Sequence, residues 1–505
     1  MSEFQVNSAD LIGLLKEAGI LVAVGGVAST ADFTGYTTDS RKLADGELFL
    51  AYRGVQFDAH ALLPKLLSET SRCGFILDDP QVWEAVKTKA PWACLVTDTR
   101  EAWAWLASYR YGHPQRQLKL IGVTGTNGKT STVWFVRQIL RAMGQACLTL
   151  GTLGIYLGDS FYPASHTTPD PDDTFRYLAA AVRAGIRYAA MEVSSHALVQ
   201  KRMRPLRFDA VAFTSFSRDH LDFHASMEEY FAAKWQLISA YRKPGAKAFL
   251  ATNLRAHVAG LELPADVLWY GADAEAVTAD VQAEILGMRL DATQMSLQMG
   301  AQRWTGSLAF AGDFAVENFA AAWAMVKALS GHSLEPERWS ELAPVPGRFE
   351  PVVEAFAHGF AVIVDYAHTP DALEKTLIKL KAMTQGKLWA VFGCGGDRDK
   401  GKRPLMGALA ERYADVLVLT SDNPRTEDPQ AILADIQAGL KHPERAYIQV
   451  DRREAMALAL AQASAGDAVL IAGKGHEDYQ IIGTVKHDFD DHKVAASLLL
   501  QRKTR

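Results

Sequence analysis

Residues 120–132 read LIGVTGTNGKTST, and this stretch decides the fold of the central part of the chain. The apolar run at residues 120–123 predicts a buried strand, and residues 130–143 predict a helix that Gly144 ends. Between them, glycines let backbone N–H groups close around phosphate oxygens, while Lys129 supplies a mobile positive charge. The stretch therefore predicts a phosphate-binding loop between a strand and a helix.

The loop is a variant of the common pattern G-x-x-x-x-G-K-[ST], because Val123 stands where that pattern has its first glycine. Thr130 occupies the position whose hydroxyl ligates Mg²⁺ in such loops. A glycine-rich turn with an incidental lysine is the alternative, and the strand before and helix after disfavour it. The residues expected to contact the phosphates of a nucleotide here are Gly125, Thr126, Asn127, Gly128, Lys129, Thr130 and Ser131.

The length of the chain, 505 residues, predicts about three domains. A polar, proline-containing stretch at residues 111–117 and two prolines within residues 343–347 suggest where the domains meet. The predicted domains are therefore residues 1–115, 116–345 and 346–505.

Composition and charge exclude several classes of protein. With 53 basic and 58 acidic side chains the formal net charge is −5, which argues against a nucleic-acid binder. No apolar run is long enough to span a membrane, and the polar N-terminus does not resemble a signal peptide. The 4 cysteines lie far apart without a CxxC pair, which favours a reducing cytoplasm and no zinc site.

Strand and helix patterns alternate in the last third of the chain. The predicted strands are residues 361–365, 388–392, 416–420, 447–450 and 468–472. Helical patterns such as residues 371–383 and 454–463 separate them, which predicts a parallel sheet wound with helices. Ligands of such sheets bind beyond the carboxyl ends of the strands, so the residues at those ends are candidates for chemistry.

Two such candidates lie in the middle segment. Glu192 ends the predicted strand 188–193, and His220 lies just past the predicted strand 210–216. A carboxylate and an imidazole at converging strand ends can share one cation. Ordinary surface polarity is the alternative, and the pairing of the two strand ends favours the cation site.

Lys234 lies on a predicted helix, residues 227–238, which Ser226 and Glu229 open with a capping-box pattern. Its neighbours on the helix make its face apolar, where an unpaired ammonium would be costly. A stem packed on the protein with its head in water is equally consistent with the pattern. The sequence leaves the two arrangements open.

Together these motifs resemble those of the Mur ligases, over nearly the whole chain. The matching motifs are GTNGKTS, HTTPD, MEVSSH, SRDHLD, GRFE, DYAHTPDAL, GCGGDRDKGKRP, DNPRTEDP and AGKGHEDYQ. The resemblance implies an α/β protein with a central P-loop-type ATPase domain whose sheet is mostly parallel. It further implies a C-terminal Rossmann-like doubly wound domain and a smaller N-terminal α/β domain that binds a UDP-sugar.

The resemblance also implies an activity. It is strongest to members that add meso-diaminopimelate to UDP-N-acetylmuramoyl-L-alanyl-D-glutamate through an acyl phosphate, in cytoplasmic peptidoglycan precursor synthesis. We therefore expect ATP as co-substrate, Mg²⁺ as cofactor, only small-molecule partners, no membrane insertion and a monomer.

The matching positions imply a role for individual residues. Lys129, Glu192, His220 and Lys234 are the expected catalytic residues. Thr130, Glu192, His220 and Lys234, the last carbamylated to N6-carboxylysine, are the expected magnesium ligands. Further nucleotide contacts are Asn318, Arg348 and Asp365, with Asn318 preferred because Ala315 stands where relatives commonly carry asparagine.

The two remaining substrates have expected residues of their own. Those for the UDP-muramoyl dipeptide are Thr38, Ser40, Gln56, Thr167, Thr168, Ser194, Gln200 and Arg202. Those for diaminopimelate are Arg398, Asp422, Asn423, Pro424, Arg425, Gly473 and Glu477.

Four alternatives stay open at this point. The same ligation with L-lysine is the nearest, and folylpolyglutamate synthesis is more distant. A P-loop NTPase that uses hydrolysis for movement or signalling would explain Lys129 and Thr130, but not Lys234 or the DNPR run. A non-catalytic nucleotide-binding protein would tolerate loss of Glu192, His220 or Lys234, and all three are present.

Overall fold

The computed structural model describes residues 5–54, 57–221, 223–272 and 278–502. The chain forms two compact units. The first contains residues 1–269 and 324–332, and the second contains residues 270–323 and 333–505. The three predicted domain ranges stay a prediction.

The first unit begins with a small α/β layer. Its strands are β1 (Val6–Asn7), β2 (Leu21–Gly25), β3 (Asp32–Phe33), β4 (Gly35–Thr37), β5 (Glu47–Ala51), β6 (Gly74–Leu77) and β7 (Trp92–Val96). Its helices are α1 (Ser8–Glu17), α2 (Leu63–Glu69), α3 (Pro80–Val86) and α4 (Thr99–Arg110). The sheet order is β2-β7-β6-β5-β4, parallel except for β2, with apolar clusters on both faces.

A mostly parallel sheet follows in the same unit. Its strands are β8 (Lys119–Thr124), β9 (Cys147–Gly151), β10 (Gly154–Leu157), β11 (Ser160–Tyr162), β12 (Tyr188–Glu192), β13 (Phe208–Phe213) and β14 (Arg242–Ala251). Its helices are α5 (Lys129–Ala142), α6 (Pro171–Arg183), α7 (Ser195–Val199) and α8 (Met227–Ser239). These strands follow the order β11-β10-β9-β12-β8-β13-β14 and are parallel from β9 to β14, whereas β10 runs antiparallel to both β9 and β11.

The register of this sheet places three strand ends side by side. Val123 of β8 pairs with Glu192 of β12, and Thr124 pairs with Phe213 of β13. The segments after these strands therefore emerge at one edge of the sheet, as expected for the carboxyl ends of parallel strands.

Strand β15 (Val267–Gly271) leads into the second unit. An antiparallel meander follows, consisting of β16 (Val281–Arg289), β17 (Ala292–Met299) and β18 (Gln302–Leu308). Helix α9 (Asp313–Ser330) comes next.

The rest of the second unit is a doubly wound sheet. Its strands are β19 (Glu350–Pro351), β20 (Ala361–Asp365), β21 (Leu388–Phe392), β22 (Val416–Leu419), β23 (Tyr447–Ile448) and β24 (Ala468–Ala472), followed by the hairpin β25 (Tyr479–Ile482) and β26 (Val485–Asp488). Its helices are α10 (Pro370–Met383), α11 (Lys402–Tyr413), α12 (Pro429–Gln437), α13 (Arg452–Gln462) and α14 (Asp491–Gln501). The order is β19-β20-β24-β21-β22-β23, parallel except for β19.

Two separate apolar cores show that helices cover both faces of this sheet. Ile363 packs with residues of α10, α11 and α12, whereas its neighbours Val362 and Val364 pack with residues of α13 and α14. Successive side chains of a strand point to opposite faces, so one run of apolar residues serves both cores. The expected α/β fold class is confirmed.

The cysteines and the apolar helices bear on two expectations from the sequence. All four cysteines are buried and free. Among the described residues, no helix is both long and apolar enough to cross a membrane.

Candidate active site

The loop between β8 and α5 has the backbone that its glycines allow. Gly125 and Gly128 have φ values of +150° and +87°. A Cβ on Gly125 would lie 2.0 Å from Thr214 Oγ1, so this position needs glycine for space as well as conformation. The Thr126 N–H donates to the carbonyl of Ser215 at 2.8 Å, which fixes the loop to the segment after β13.

Lys129, the first residue of α5, folds its side chain back over the loop. Its Nζ donates to the carbonyl oxygens of Gly125 and Thr126 at 2.7 and 2.9 Å. Thr130 and Ser131 follow in the first turn, at the positive end of the helix. The predicted strand, loop and helix are all present, and they hold an ammonium at the mouth of the loop.

Lys234 of α8 reaches the same loop from another side. Only 1% of the residue is exposed, and its Nζ donates to the carbonyl of Gly125 at 2.8 Å. Burial, together with the charge of Lys129, lowers the pKa of Lys234 well below its usual value. Of the two arrangements that the sequence left open, the structure has the buried one.

Glu192, at the end of β12, lies beside the first turn of α5. Its carboxylate accepts from Thr130 Oγ1 at 2.9 Å and from the Thr152 N–H at 2.7 Å. A Cβ on Gly151 would lie 2.3 Å from Glu192 Oε1, so the carboxylate occupies space that only glycine leaves open. The hydroxyl and carboxylate are thus adjacent, and both are hard oxygen donors of the kind Mg²⁺ prefers.

His220 lies in the segment after β13, with a φ of +51°. Its side chain is 42% exposed, and its ring packs edge-on against His196 with centroids 5.0 Å apart. Within the described ranges, no group of three His, Cys, Asp or Glu side chains forms a ready-made metal site. The roles of Glu192, His220 and Lys234 as metal ligands stay predictions.

Thr168 joins most of the residues that the sequence assigned to the muramoyl dipeptide. Its hydroxyl donates to the Glu192 carbonyl at 2.9 Å and accepts from the Ser194 N–H at 3.0 Å. Arg202 donates to the Thr168 carbonyl at 2.9 Å and to Gln200 Oε1 at 2.9 Å. Thr167 directly precedes Thr168, and its hydroxyl lies 3.1 Å from that of Thr152. The five residues predicted from this part of the chain therefore lie close together.

The predicted uridine contacts lie in the N-terminal layer. Thr38 and Ser40 follow β4, in a turn that Asp39 caps by accepting from the Arg41 N–H. Gln56 lies outside the described residues. Their roles stay predictions.

The second unit gathers the acidic residues predicted for the amino acid. Asn423 Nδ2 donates to Glu477 Oε2 at 2.8 Å and to Asp422 Oδ1 at 3.1 Å. Gly473 lies against the Asp422 carboxylate, because a Cβ on Gly473 would lie 2.4 Å from Asp422 Oδ2. Burial raises the pKa of Glu477 despite the nearby ammonium of Lys474. An amino-acid ammonium would supply the positive charge that this acidic cluster favours.

Arg425 lies beside this cluster in a left-handed conformation, with a φ of +52°. Its Nη1 donates to the Gly396 carbonyl at 2.7 Å, and its N–H donates to the Ile481 carbonyl at 3.0 Å. The carbonyl of Pro424 also packs against Gly396. Arg398 is more exposed and donates to the Asp397 carbonyl at 3.0 Å.

The other predicted nucleotide contacts also lie in the second unit. Asp365 ends β20 and accepts from the Phe349 N–H at 2.7 Å, and burial raises its pKa. The Arg348 guanidinium lies 4.7 Å from the Tyr366 ring centroid, and its buried Nε has no hydrogen-bond partner among the described residues. Asn318 is buried in α9.

Some residues of these sites were not singled out from the sequence. Thr152 and Gly151 shape the surroundings of Glu192, and Lys474 is fully buried 3.6 Å from Glu477. The quoted motif AGKGHEDYQ contains Lys474, so a buried strand end followed by a lysine was the available signal. Thr152 and Gly151 carry no comparable local pattern.

Comparison with known proteins agrees with this geometry. Residues 123–326 match the Mur ligase middle domain, and residues 347–475 match the Mur ligase, glutamate ligase domain. The chain is 40% identical over 482 residues to the UDP-N-acetylmuramoyl-L-alanyl-D-glutamate–2,6-diaminopimelate ligase of Geobacillus kaustophilus (strain HTA426), covering 93% of this chain and 96% of that protein. The enzyme of the same name from Aquifex aeolicus (strain VF5) is 38% identical over 469 residues, covering 92% and 93%.

Solved structures give the same result. A structure of a UDP-N-acetylmuramoyl-L-alanyl-D-glutamate–2,6-diaminopimelate ligase superposes with a TM-score of 0.65 at 32% identity, covering 93% of this chain and 95% of that chain. The UDP-N-acetylmuramoylalanyl-D-glutamyl-2,6-diaminopimelate–D-alanyl-D-alanyl ligase from Acinetobacter baumannii shares the fold, with a TM-score of 0.59 at 19% identity and 99% coverage of both chains. With its phosphate loop, its sheets and its relatives in agreement, this chain belongs to the Mur ligase family.

Proposed function

We propose that this ligase joins meso-diaminopimelate to UDP-N-acetylmuramoyl-L-alanyl-D-glutamate at the expense of ATP, as a cytoplasmic step of peptidoglycan precursor synthesis. The observation that carries the proposal is the presence, in one chain, of a lysine-closed phosphate loop and a buried acidic cluster beside Arg425. The first is suited to ATP, and the second is suited to an amino acid with charges at its far end. The names of the relatives support the same substrates.

Amide formation needs an activated carboxylate, because an unmodified carboxylate would have to expel oxide. An oxygen of the D-glutamyl carboxylate attacks the γ-phosphorus of ATP, and ADP leaves. The amino nitrogen of diaminopimelate then attacks the acyl carbon, phosphate leaves, and the nitrogen gives up a proton. Lys129 and the loop amides stabilise the charge that develops on the transferred phosphoryl group.

The residues around the loop fit a magnesium ion by their donor chemistry. The Thr130 hydroxyl and the Glu192 carboxylate lie together, and His220 and a carbamate on Lys234 would complete the set. Bound Mg²⁺ would neutralise charge on the phosphate oxygens.

Carbamylation of Lys234 requires its neutral amine, which adds to CO₂ and releases one proton. Burial, together with the charge of Lys129, lowers the pKa of Lys234, and a lowered pKa increases the share of the neutral amine. The product is an anion next to the Lys129 ammonium, so the carbamate is attracted to the cation that disfavours a charged Lys234.

The first unit supplies residues for the UDP-muramoyl dipeptide. Arg202, whose side chain is partly exposed and already pairs with Asp170 at 3.3 Å, is the cation available for a substrate carboxylate. Thr38, Ser40 and Gln56 are proposed for the uridine end. We further propose that the protein acts as a monomer on small molecules alone.

A phosphate-release assay tests the proposal. The wild-type protein is incubated with ATP, Mg²⁺, the UDP-muramoyl dipeptide and, in separate reactions, meso-diaminopimelate, L-lysine and L-glutamate, with the product identified by mass spectrometry. We expect phosphate release and a tripeptide product only when diaminopimelate and the UDP-sugar are both present. Equal phosphate release from ATP alone would instead favour an NTPase.

A further inference from the structure

A fully buried ion pair lies behind the acidic cluster of the second unit. Arg452 donates from Nε and Nη2 to the two carboxylate oxygens of Asp491, at 2.8 and 2.7 Å, and neither side chain is exposed. Arg452 begins α13 and Asp491 begins α14. The pair therefore joins the first turns of two helices on one face of the doubly wound sheet.

The same guanidinium also holds two strand ends. Nη1 donates to the carbonyl of Ser421 at 3.2 Å, and Nη2 donates to the carbonyl of Ala472 at 3.0 Å. Ser421 directly precedes Asp422, and Ala472 directly precedes Gly473. Each carbonyl thus belongs to the peptide unit that leads into a residue predicted for the amino acid.

The two strands that Arg452 connects are not neighbours. β21 lies between β22 and β24, so their ends are about 10 Å apart, twice the usual spacing of paired strands. No backbone ladder fixes the end of one against the end of the other. A planar guanidinium with several donors is suited to span this gap.

Stability alone does not require this arrangement. The dipole of α14 favours Asp491 at its start, but that of α13 disfavours the Arg452 cation, and burying both charges carries a large desolvation penalty. Apolar side chains of similar volume in place of a buried ion pair are often neutral or stabilising. The contacts that such a replacement would lose are those to the Ser421 and Ala472 carbonyls.

We propose that Arg452, held in place by Asp491, is a positioning residue for the amino-acid pocket: it fixes Asp422 and Gly473 against each other across β21. The proposal rests on the proposed function for the identity of the amino acid. It assigns Arg452 no contact with any substrate.

The main test is the double variant Arg452→Met with Asp491→Leu, which replaces the ion pair with an apolar pair of similar volume. We expect KM for meso-diaminopimelate to rise about tenfold or more, because small displacements of binding groups have large effects. KM for ATP and for the UDP-sugar should stay within about threefold of wild type, because the phosphate loop is unaltered. An unchanged KM for the amino acid in the folded double variant would overturn the proposal.

Arg452→Lys separates positioning from charge. Lysine keeps a cation for Asp491 but cannot donate to two separated carbonyls in the same way. We expect Arg452→Lys to show most of the increase in KM for meso-diaminopimelate that the double variant shows. A wild-type KM in Arg452→Lys would show that only the buried charge matters and would overturn the proposal.

Asp467→Asn is the matched control. Asp467 is a buried carboxylate just before the amino end of β24, at the opposite end of the strands from Gly473. It accepts from the Lys387 N–H at 2.7 Å and from Trp389 Nε1 at 3.1 Å. We expect this variant to lose thermal stability without a selective change in the amino-acid KM. A KM change equal to that of the double variant would mean that any destabilisation of the sheet produces the effect.

Hydrogen exchange gives a readout that does not depend on the substrate. In the double variant, and in Arg452→Lys, peptides that contain residues 421–423 and 472–474 should exchange faster than in wild type, while β21 stays protected. Unchanged exchange at both segments would contradict the proposal even if the wild-type enzyme used another amino acid. Failure of diaminopimelate as substrate with faster exchange would instead contradict only the proposed function.

Discussion

Thr130 donates its hydroxyl hydrogen to Glu192 across 2.9 Å, joining the first turn of the phosphate-loop helix to the end of the neighbouring strand β12. Glu192 is 1% exposed, and the Thr152 N–H holds its other oxygen at 2.7 Å. The carboxylate is therefore fixed before any ligand arrives. Such prior fixing matters for a proposed metal ligand, because the neighbours of a ligand set its orientation.

Gly151→Ala tests this fixing without removing any polar group. The new methyl would lie 2.3 Å from Glu192 Oε1, so the carboxylate must move. We expect turnover at limiting Mg²⁺ to fall by about 10- to 100-fold, the usual effect of disturbing the neighbours of a metal ligand. Gly13→Ala is the control, because nothing lies within 4 Å of its Cβ and it is exposed in α1. It should keep full activity and gain about 0.5–1 kcal/mol of stability.

Lys129→Ala should leave the fold intact and reduce turnover. The ammonium donates to the carbonyls of Gly125 and Thr126, which can turn to water when it is removed. We expect kcat to fall by at least about 10²-fold, typical for the loss of one group that stabilises transition-state charge. The phosphate-release assay measures the change, with exposed Lys65→Ala as control. Near-wild-type turnover would contradict the role of Lys129.

Lys234→Ala should be nearly inactive for a different reason, the loss of the carbamate that we propose on Lys234. A short carboxylic acid such as acetate should restore part of the activity by occupying the vacated space. Wild-type enzyme depleted of CO₂ should also lose activity and regain it with bicarbonate, because a carbamate forms reversibly from an amine and CO₂. Full activity of Lys234→Ala at limiting Mg²⁺ would rule out the metal role.

The sequence predicted the parallel sheet of the second unit well because its strands are continuous apolar runs. The expected strands 361–365, 388–392 and 468–472 have the observed bounds of β20, β21 and β24. Expected strand 210–216 instead corresponds to Phe208–Phe213, because Thr214 and Ser215 turn away to hold the phosphate loop. Their side-chain contacts with distant residues are invisible to a local pattern.

The burial of Lys234 shows the same limit at the site. Its helix pattern placed it on the apolar face, but whether its head reached water depended on a carbonyl 109 residues away. Arg452 is a stronger example, since its partners Ser421, Ala472 and Asp491 come from three separate segments. Only the folded sheet brings these groups together.

His60 makes a pH-dependent contribution to the stability of the N-terminal layer. Burial alone would lower its pKa, but Asp78 and Asp58, at 3.1 and 2.6 Å from its ring nitrogens, raise it above 6.5. A raised pKa means that the charged form stabilises the fold fully below about pH 6.5 and that this stabilisation disappears as pH rises through the folded value.

The difference in Tm between wild type and His60→Gln measures this contribution. We expect it to be largest near pH 6 and to shrink toward pH 9. The difference should shrink again in strong acid. Burial raises the pKa of Asp58, but Arg53 and His60 lower it more, to about 2. The stabilisation that ionised Asp58 provides is therefore lost as pH falls toward that value. A difference that grows from pH 6 to pH 9 would show that His60 is neutral in the folded protein.

Arg425 is the residue from which we expect discrimination between meso-diaminopimelate and lysine. The two amino acids differ by a carboxylate at the far end, which a guanidinium can bind through two hydrogen bonds. A pairing with Glu427 would compete for Arg425, but Glu427 is held by Arg403 at 2.9 Å and Lys400 at 3.2 Å. Arg425 Nη1 instead donates to the backbone carbonyl of Gly396, which carries no negative charge.

Lysine would leave that guanidinium without its carboxylate and bring an ammonium toward it. We therefore expect kcat/KM of the wild type to favour meso-diaminopimelate by about 10⁴-fold or more, as in sites built around one polar group of the substrate. Arg425→Ala should lose most of this preference, and Arg425→Lys should not recover it, because an ammonium lacks the paired donors. The neighbouring variant Thr426→Val is the control, since its hydroxyl bonds Asp397 at 2.9 Å rather than the acidic cluster. Efficient lysine use by wild type, or unchanged diaminopimelate use by Arg425→Ala, would place the selectivity elsewhere, with Arg398 as the next guanidinium to test.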